Sequence, residues 1–122
     1  MTSRQILVVD DEPQLVQLVT RYLERLNYNA VYARTTKDAW EMIARDAGAF
    51  GLVVIDVTMM DPGGEELARR ILESRPGTRV IVSSGYPVDV TAIERDFSGR
   101  VGFLQKPYTG EMLAEAVQRL LP

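Results

Sequence analysis

The amino-acid sequence predicts an α/β fold in which five helices cover one doubly wound, five-stranded parallel sheet. Five short apolar segments recur at intervals of about 22 to 27 residues, and each is followed by a helix-like stretch. This alternation implies parallel strands joined by right-handed crossovers. Because 122 residues is the size of one ordinary domain, we expect residues 1–122 to form a single domain.

The predicted strands are apolar and rich in β-branched residues, which favour extended structure. They lie at residues 6–9, 30–33, 52–55, 79–82 and 101–104. All of them are far shorter than the roughly 18 apolar residues of a membrane-spanning helix. We therefore expect a buried sheet and no transmembrane segment.

Four helices are predicted from apolar residues spaced three or four apart, which gives each helix one buried face. Pro13 suits the first turn of the first helix. The apolar positions are Leu15, Leu18, Val19, Tyr22, Leu23 and Leu26 in the first helix, Ala39, Ile43 and Ala47 in the second, Leu67, Ala68, Ile71 and Leu72 in the third, and Met112, Leu113, Ala116, Val117, Leu120 and Leu121 in the fifth.

The fourth helix has a weaker signal than the others. Residues 86–94 contain Pro87 and several β-branched residues, which disfavour a long helix. Thr91, with Glu94 three positions later, resembles a capping box. We predict a short or frayed fourth helix that begins late and ends near Gly99.

Composition excludes several classes of function. A net charge of −3 with mixed signs offers no basic stripe, so we expect neither a nucleic-acid partner nor a membrane partner. The absence of histidine excludes Ser-His-Asp triads, histidine zinc sites and a phosphohistidine within the chain. The absence of cysteine and of a secretion signal leads us to expect a cytoplasmic protein.

Polar residues follow four of the predicted strands, at the edge where open α/β sheets bind ligands. They are Asp10, Asp11 and Glu12 after the first strand, Asp56 after the third, Ser83 and Ser84 after the fourth, and Lys106 after the fifth. Carboxylates gathered there repel one another unless a cation binds between them. Because the ligands are all oxygens, the sequence predicts a Mg²⁺ site.

This set of residues suits phosphoryl transfer. Asp56 would be the nucleophile that forms an acyl phosphate, and Lys106 would bind a phosphoryl oxygen as a point charge. Taken singly, each residue has an ordinary explanation: Asp10 and Asp11 could cap a helix, Asp56 could form a turn, and Lys106 could be a surface lysine. Their joint placement at strand ends favours a site.

Four segments resemble the receiver domain of bacterial response regulators, and the resemblance covers essentially the whole chain. They are Leu-Val-Val-Asp-Asp-Glu at 7–12, Val-Ile-Asp at 54–56, Val-Ser-Ser-Gly at 82–85 and Phe-Leu-Gln-Lys-Pro at 103–107. The resemblance implies a flavodoxin-like sheet with strand order 2-1-3-4-5. It also implies that Asp11 and Asp56 bind Mg²⁺ through their side chains, Thr58 through its backbone carbonyl and Asp10 through water.

The resemblance also implies a switch. Ser84 would be the switch hydroxyl, Phe103 the switch aromatic residue and Lys106 the phosphoryl-binding lysine. The peptide bond between Lys106 and Pro107 would be cis, as it usually is in the family. One departure is Met60, which stands where the family generally has proline, whereas Gly64 occupies the position of the family's usual glycine.

By the same resemblance, the phosphoryl donor is a phosphohistidine on a sensor histidine kinase or a histidine phosphotransfer protein. We expect phosphorylation of Asp56 to change the surface of the fourth helix, fifth strand and fifth helix. That surface would signal to a downstream output protein or domain, or form a homodimer.

On this reading the chain is no enzyme beyond its own phosphotransfer and dephosphorylation. Two alternatives are an interaction module of the same fold that is never phosphorylated, and a phosphatase with an aspartate nucleophile. Such phosphatases usually have a second aspartate where this chain has Thr58.

Overall fold

Strands and helices alternate along the chain in the predicted order. A computed structural model describes residues 5–46, 48–58 and 63–121. Its elements are β1 (Gln5–Val9), α1 (Pro13–Arg25), β2 (Asn29–Ala33), α2 (Thr36–Arg45), β3 (Leu52–Asp56), α3 (Gly64–Ser74), β4 (Arg79–Ser84), α4 (Thr91–Asp96), β5 (Val101–Gln105) and α5 (Gly110–Leu120). Each strand extends its predicted segment by one or two residues at one end.

The five strands form one parallel sheet in the order β2-β1-β3-β4-β5. β2 lies on one side of β1, and the later strands are added on the other side, so β1 and β3 are neighbours. This confirms the predicted fold class and strand order. Within the described ranges, no helix has the length and apolar character needed to cross a bilayer.

Apolar side chains pack on both faces of the sheet. Leu7 and Val9 of β1 join the cluster covered by α2, α3 and α4, whereas Ile6 and Val8 join the cluster covered by α1 and α5. This alternation follows from the two-residue period of a strand. Since both faces are covered, the carboxyl edge of the sheet is left for polar side chains.

Local sequence sets where several helices begin. Pro13 is the first residue of α1, as predicted. Thr35 caps α2 by accepting a hydrogen bond from the backbone of Asp38 at 3.0 Å, and Thr109 caps α5 by accepting one from Met112 at 3.1 Å. Each threonine satisfies a backbone donor that the first turn of a helix leaves without a partner.

The fourth helix is short, as predicted, but the expected capping box is wrong. α4 has six residues, and its N-cap is Val90, whose side chain cannot accept a hydrogen bond. Thr91 is the first helical residue, and its N–H donates to Oδ1 of Asp89 at 2.9 Å. The helix ends at Asp96, before Gly99, which has a left-handed φ of 82°.

The N-terminus of α3 lies against the end of β3. A Cβ at Gly64 would lie 2.8 Å from the Cα of Val57 and 3.1 Å from the carbonyl oxygen of Asp56. Only glycine permits this approach, which accounts for the residue expected there. Met60 lies outside the described residues.

Candidate functional site

The carboxyl ends of β1 and β3 bring three aspartates together. Asp10 directly follows β1, and Asp56 ends β3, its neighbour in the sheet. Asp10, Asp11 and Asp56 each offer a carboxylate oxygen, and these oxygens all lie within 4.8 Å of one another. Asp10 is 3% exposed and Asp56 is 4% exposed, so two of the three charges are largely shielded from water.

Lys106 reaches this cluster from the far side of β4. Its Nζ lies 2.7 Å from Oδ2 of Asp10 and 2.9 Å from Oδ2 of Asp56. A third carboxylate, from Glu12, lies 3.4 Å away on a side chain that is mostly exposed. The backbone N–H of Lys106 donates to the carbonyl oxygen of Ser84 at 2.7 Å. The peptide bond from Lys106 to Pro107 is cis, as expected.

The carboxylate of Asp56 has hydrogen-bond donors on both oxygens. Oδ1 accepts from the backbone N–H of Thr58 at 2.8 Å and from the Thr58 hydroxyl at 2.6 Å, while Oδ2 accepts from Lys106. Burial acts to raise the pKa of Asp56, but the bonds from Thr58 and Lys106 outweigh it and hold that pKa below its ordinary value. Asp56 is therefore ionised at neutral pH.

The pKa of Asp10 is shifted in the opposite direction to that of Asp56. Burial raises the pKa of Asp10 above its ordinary value, although hydrogen bonds from Lys106 and from the backbone of Glu12 oppose the shift. Burial also acts to lower the pKa of Lys106, yet its bonds to Asp10 and Asp56 raise that pKa above the ordinary value. The ammonium thus stays charged between the carboxylates.

Ser84 lies close to the cluster but points its hydroxyl elsewhere. It is 0% exposed, and its Oγ donates to the carbonyl of Tyr86 and accepts from the N–H of Tyr86 at 3.1 Å. Phe103, on β5, is partly buried and packs on the cluster of apolar residues that contains Val82 and Ile93. The Ser84 hydroxyl is thus hydrogen-bonded to the backbone of its own loop.

Comparison with known proteins shows the family. Residues 6–118 match the family model of the response regulator receiver domain. The chain belongs to this family. It is 31% identical over 121 residues to the DNA-binding transcriptional regulator NtrC of Azospirillum brasilense and 30% identical over 119 residues to the sensor kinase CckA of Brucella abortus.

The extent of these matches differs between the relatives and the solved structures. The match to NtrC covers 99% of this chain and 25% of NtrC. The match to CckA covers 98% of this chain and 13% of CckA. A response regulator of Thermotoga maritima has a TM-score of 0.80 and 28% identity, with 99% of this chain and 98% of that chain covered. The receiver fold therefore recurs both alone and within longer proteins.

The acidic cluster of this receiver domain fits a divalent cation. Asp10, Asp11 and Asp56 carry three negative charges, and Lys106 returns one positive charge. A cation of charge two would bring these four groups to neutrality, and their hard oxygen donors match Mg²⁺. The donor set and its charge thus agree with the metal expected from the sequence.

Two contacts of this site were not foreseen in the sequence. The sequence pattern assigns no role to Glu12, whereas its carboxylate lies 3.4 Å from Nζ of Lys106. Thr58 was expected to contribute only its backbone carbonyl, whereas its hydroxyl donates to Asp56. The second contact depends on the turn after β3, which brings a residue two positions along the chain back to the carboxylate.

Proposed function

We propose that the chain is a phosphoacceptor switch, in which Asp56 accepts a phosphoryl group from a phosphohistidine partner in a Mg²⁺-dependent reaction. The observation that carries this proposal is the contact between Lys106 Nζ and Oδ2 of Asp56 at 2.9 Å, beside two further aspartates. A nucleophile, a fixed positive charge and oxygen ligands for a cation are the parts that phosphoryl transfer requires.

In the proposed reaction, Oδ2 of Asp56 attacks the phosphorus of the donor. The bond from phosphorus to the imidazole nitrogen breaks, and the nitrogen keeps the bonding electron pair. Lys106 offsets the negative charge on the phosphoryl oxygens, because its raised pKa keeps it protonated. Bound Mg²⁺, held by Asp11, Asp56, the Thr58 carbonyl and, through water, Asp10, would supply further positive charge to these oxygens.

A phosphohistidine that donates the group must lie outside residues 1–122, because these residues contain no histidine. We propose a sensor histidine kinase or a histidine phosphotransfer protein. This agrees with the relatives, one of which is a transcriptional regulator and the other a sensor kinase. A downstream output protein or domain would receive the signal, in the cytoplasm, and residues 1–122 would act as one receiver domain.

The proposed switch begins at Ser84. To bond a phosphoryl oxygen, the Ser84 hydroxyl must leave the backbone of Tyr86. A hydrogen bond to a charged group contributes about 1.5 to 3 kcal/mol, which is less than the roughly 5.5 kcal/mol needed to reverse a 1:99 equilibrium. Repacking of Phe103 would add to it and change the surface of α4, β5 and α5, which could also form a homodimer.

The test is phosphorylation by a small donor. We expect the intact mass to rise by one phosphoryl group when the protein is mixed with acetyl phosphate and Mg²⁺, and to stay unchanged with EDTA. Asp56→Asn should gain nothing, whereas Asp89→Asn, at an exposed carboxylate of the β4–α4 loop, should behave as the wild type. An equal gain in Asp56→Asn would exclude Asp56 as the acceptor.

The same samples separate the two alternatives. Rapid, repeated hydrolysis of a generic phosphate ester would favour a phosphatase, and no mass gain under any condition would favour an interaction module. The Thr58 hydroxyl argues against the phosphatase, because it donates to the nucleophile and is no acid for a leaving group.

A further inference from the structure

The Thr58 hydroxyl occupies an oxygen that a cation would need. A carboxylate oxygen has two lone pairs, and Oδ1 of Asp56 already accepts two bonds, one from the backbone N–H of Thr58 and one from its hydroxyl. The other oxygen, Oδ2, faces Lys106 and is the nucleophile of the proposed reaction. A cation that shares Asp56 with the phosphoryl group would therefore bind Oδ1 and displace one of the two donors.

Only one of these donors can leave without moving the backbone. The N–H of Thr58 follows directly from Val57, whose own N–H donates to the carbonyl of Ser83 at 3.0 Å and so extends the pairing of β3 with β4. The hydroxyl, in contrast, turns away by rotation about one side-chain bond. Thr58 is half-buried, so a rotated hydroxyl can reach water.

We propose that the Thr58 hydroxyl competes with Mg²⁺ for Oδ1 of Asp56 and thereby sets how tightly this receiver domain binds the cation. The hydroxyl holds Oδ1 while Oδ2 is directed at Lys106. Uptake of the cation requires the hydroxyl to leave. The inference rests on the proposed function, because it concerns the cation of the same site.

Removal of the Thr58 hydroxyl, with the shape of the side chain kept, should strengthen Mg²⁺ binding. In Thr58→Val, Oδ1 has one donor fewer, so the dissociation constant for Mg²⁺ should fall by about three- to tenfold. This fold-change corresponds to only a part of the free energy of a hydrogen bond to a charged group, because water replaces some of the lost bond. Thr58→Ser keeps a hydroxyl and should bind Mg²⁺ as the wild type does. Thr91→Val, on exposed α4, is the matched control and should also leave the affinity unchanged.

The measurement is isothermal titration of Mg²⁺ into the metal-free full chain. Circular dichroism establishes that each variant is folded, and Thr58→Ala carries the same prediction if Thr58→Val does not fold. Unchanged or weaker binding by the variant that lacks the hydroxyl overturns the inference, as does a Thr58→Ser variant that behaves like Thr58→Val. Absence of Mg²⁺ binding by the wild type overturns it as well.

The rate of phosphorylation by acetyl phosphate gives a second measurement. If Thr58 only supported the fold, its substitution would not lower the Mg²⁺ concentration that this reaction requires. The Mg²⁺ concentration for half-maximal rate should fall in Thr58→Val, while the rate at saturating Mg²⁺ stays similar. A change in affinity without any phosphorylation would refute the proposed function and leave the inference standing. Phosphorylation without a change in Mg²⁺ affinity would refute the inference and leave the proposed function standing.

Discussion

Two neighbouring carboxylates of the site should affect stability with opposite signs. The folded-state pKa of Asp10 lies above its ordinary value, so its charge costs stability at neutral pH, and that cost disappears as the pH falls through the raised pKa. The folded-state pKa of Asp56 lies below its ordinary value of 3.8, so its charge contributes stability that is present above 3.8 and is lost as the pH falls through the lowered pKa.

We therefore predict that metal-free Asp10→Asn is more stable than the wild type at pH 7, by about 1 kcal/mol, and that Asp56→Asn is less stable by a similar amount. Both differences should shrink in acid. Urea denaturation in EDTA at several pH values measures them. Higher stability of both variants would show that repulsion among the aspartates outweighs the individual hydrogen bonds, and lower stability of both would show that the bonds from Lys106 outweigh the burial of Asp10.

At this scale the sequence predicted which residues meet but not how their atoms bond. The positions of Asp10, Asp56 and Lys106 follow from strand order, because residues at the carboxyl ends of neighbouring strands share one edge. The hydroxyls of Thr58 and Ser84 bond atoms two residues away, and those bonds depend on turn geometry that no periodicity encodes.

The contact between α3 and β3 links an element to the site, because Gly64 begins α3 and touches the residue after Asp56. We predict that Gly64→Ala lowers the free energy of unfolding by about 1 to 3 kcal/mol, since its Cβ would meet the backbone of Val57. It should also slow phosphorylation of Asp56. Urea denaturation and mass measurement with acetyl phosphate test the two effects.

The matched control is Gly77→Ala, because a Cβ at Gly77 has no atom within 4 Å and the backbone needs no left-handed φ. Its free energy of unfolding should change by less than about 0.5 kcal/mol, or rise slightly. If both variants lost the same stability, the close approach of Gly64 to Val57 would not be the cause.

Elements with a strong period were predictable, whereas for α4 the short length was predictable and the N-cap was not. The four longer helices follow from apolar spacing, because burial of one face decides their position. α4 has a single fully buried side chain, Ile93, so local chemistry decides where it begins. The pattern of Thr91 and Glu94 suggested a cap one residue later than the observed N-cap, Val90.

At the scale of the whole molecule, α4 is the shortest of the described helices and has the fewest buried residues. It is six residues long, and the ion pair from Arg69 of α3 to Asp96 at 3.1 Å is exposed and contributes little. Segments with few buried apolar contacts open at low free energy. We therefore expect a change at the site to be transmitted more easily to α4 than to the longer helices.

Ser84 is the residue that would connect the site with α4, because its hydroxyl holds the backbone of Tyr86 in the loop that leads to the helix. We predict that phosphorylation of the wild type changes the amide hydrogen exchange of α4 and β5, and leaves α2 unchanged. Ser84→Ala should still gain the phosphoryl mass, since Asp56 and Lys106 are intact, but should lose most of the change in α4. Hydrogen exchange with mass spectrometry, before and after acetyl phosphate, measures this. If α4 in the phosphorylated variant responded as in the wild type, the signal would not pass through the Ser84 hydroxyl, and repacking of Phe103 would have to be driven from Asp56 by another contact.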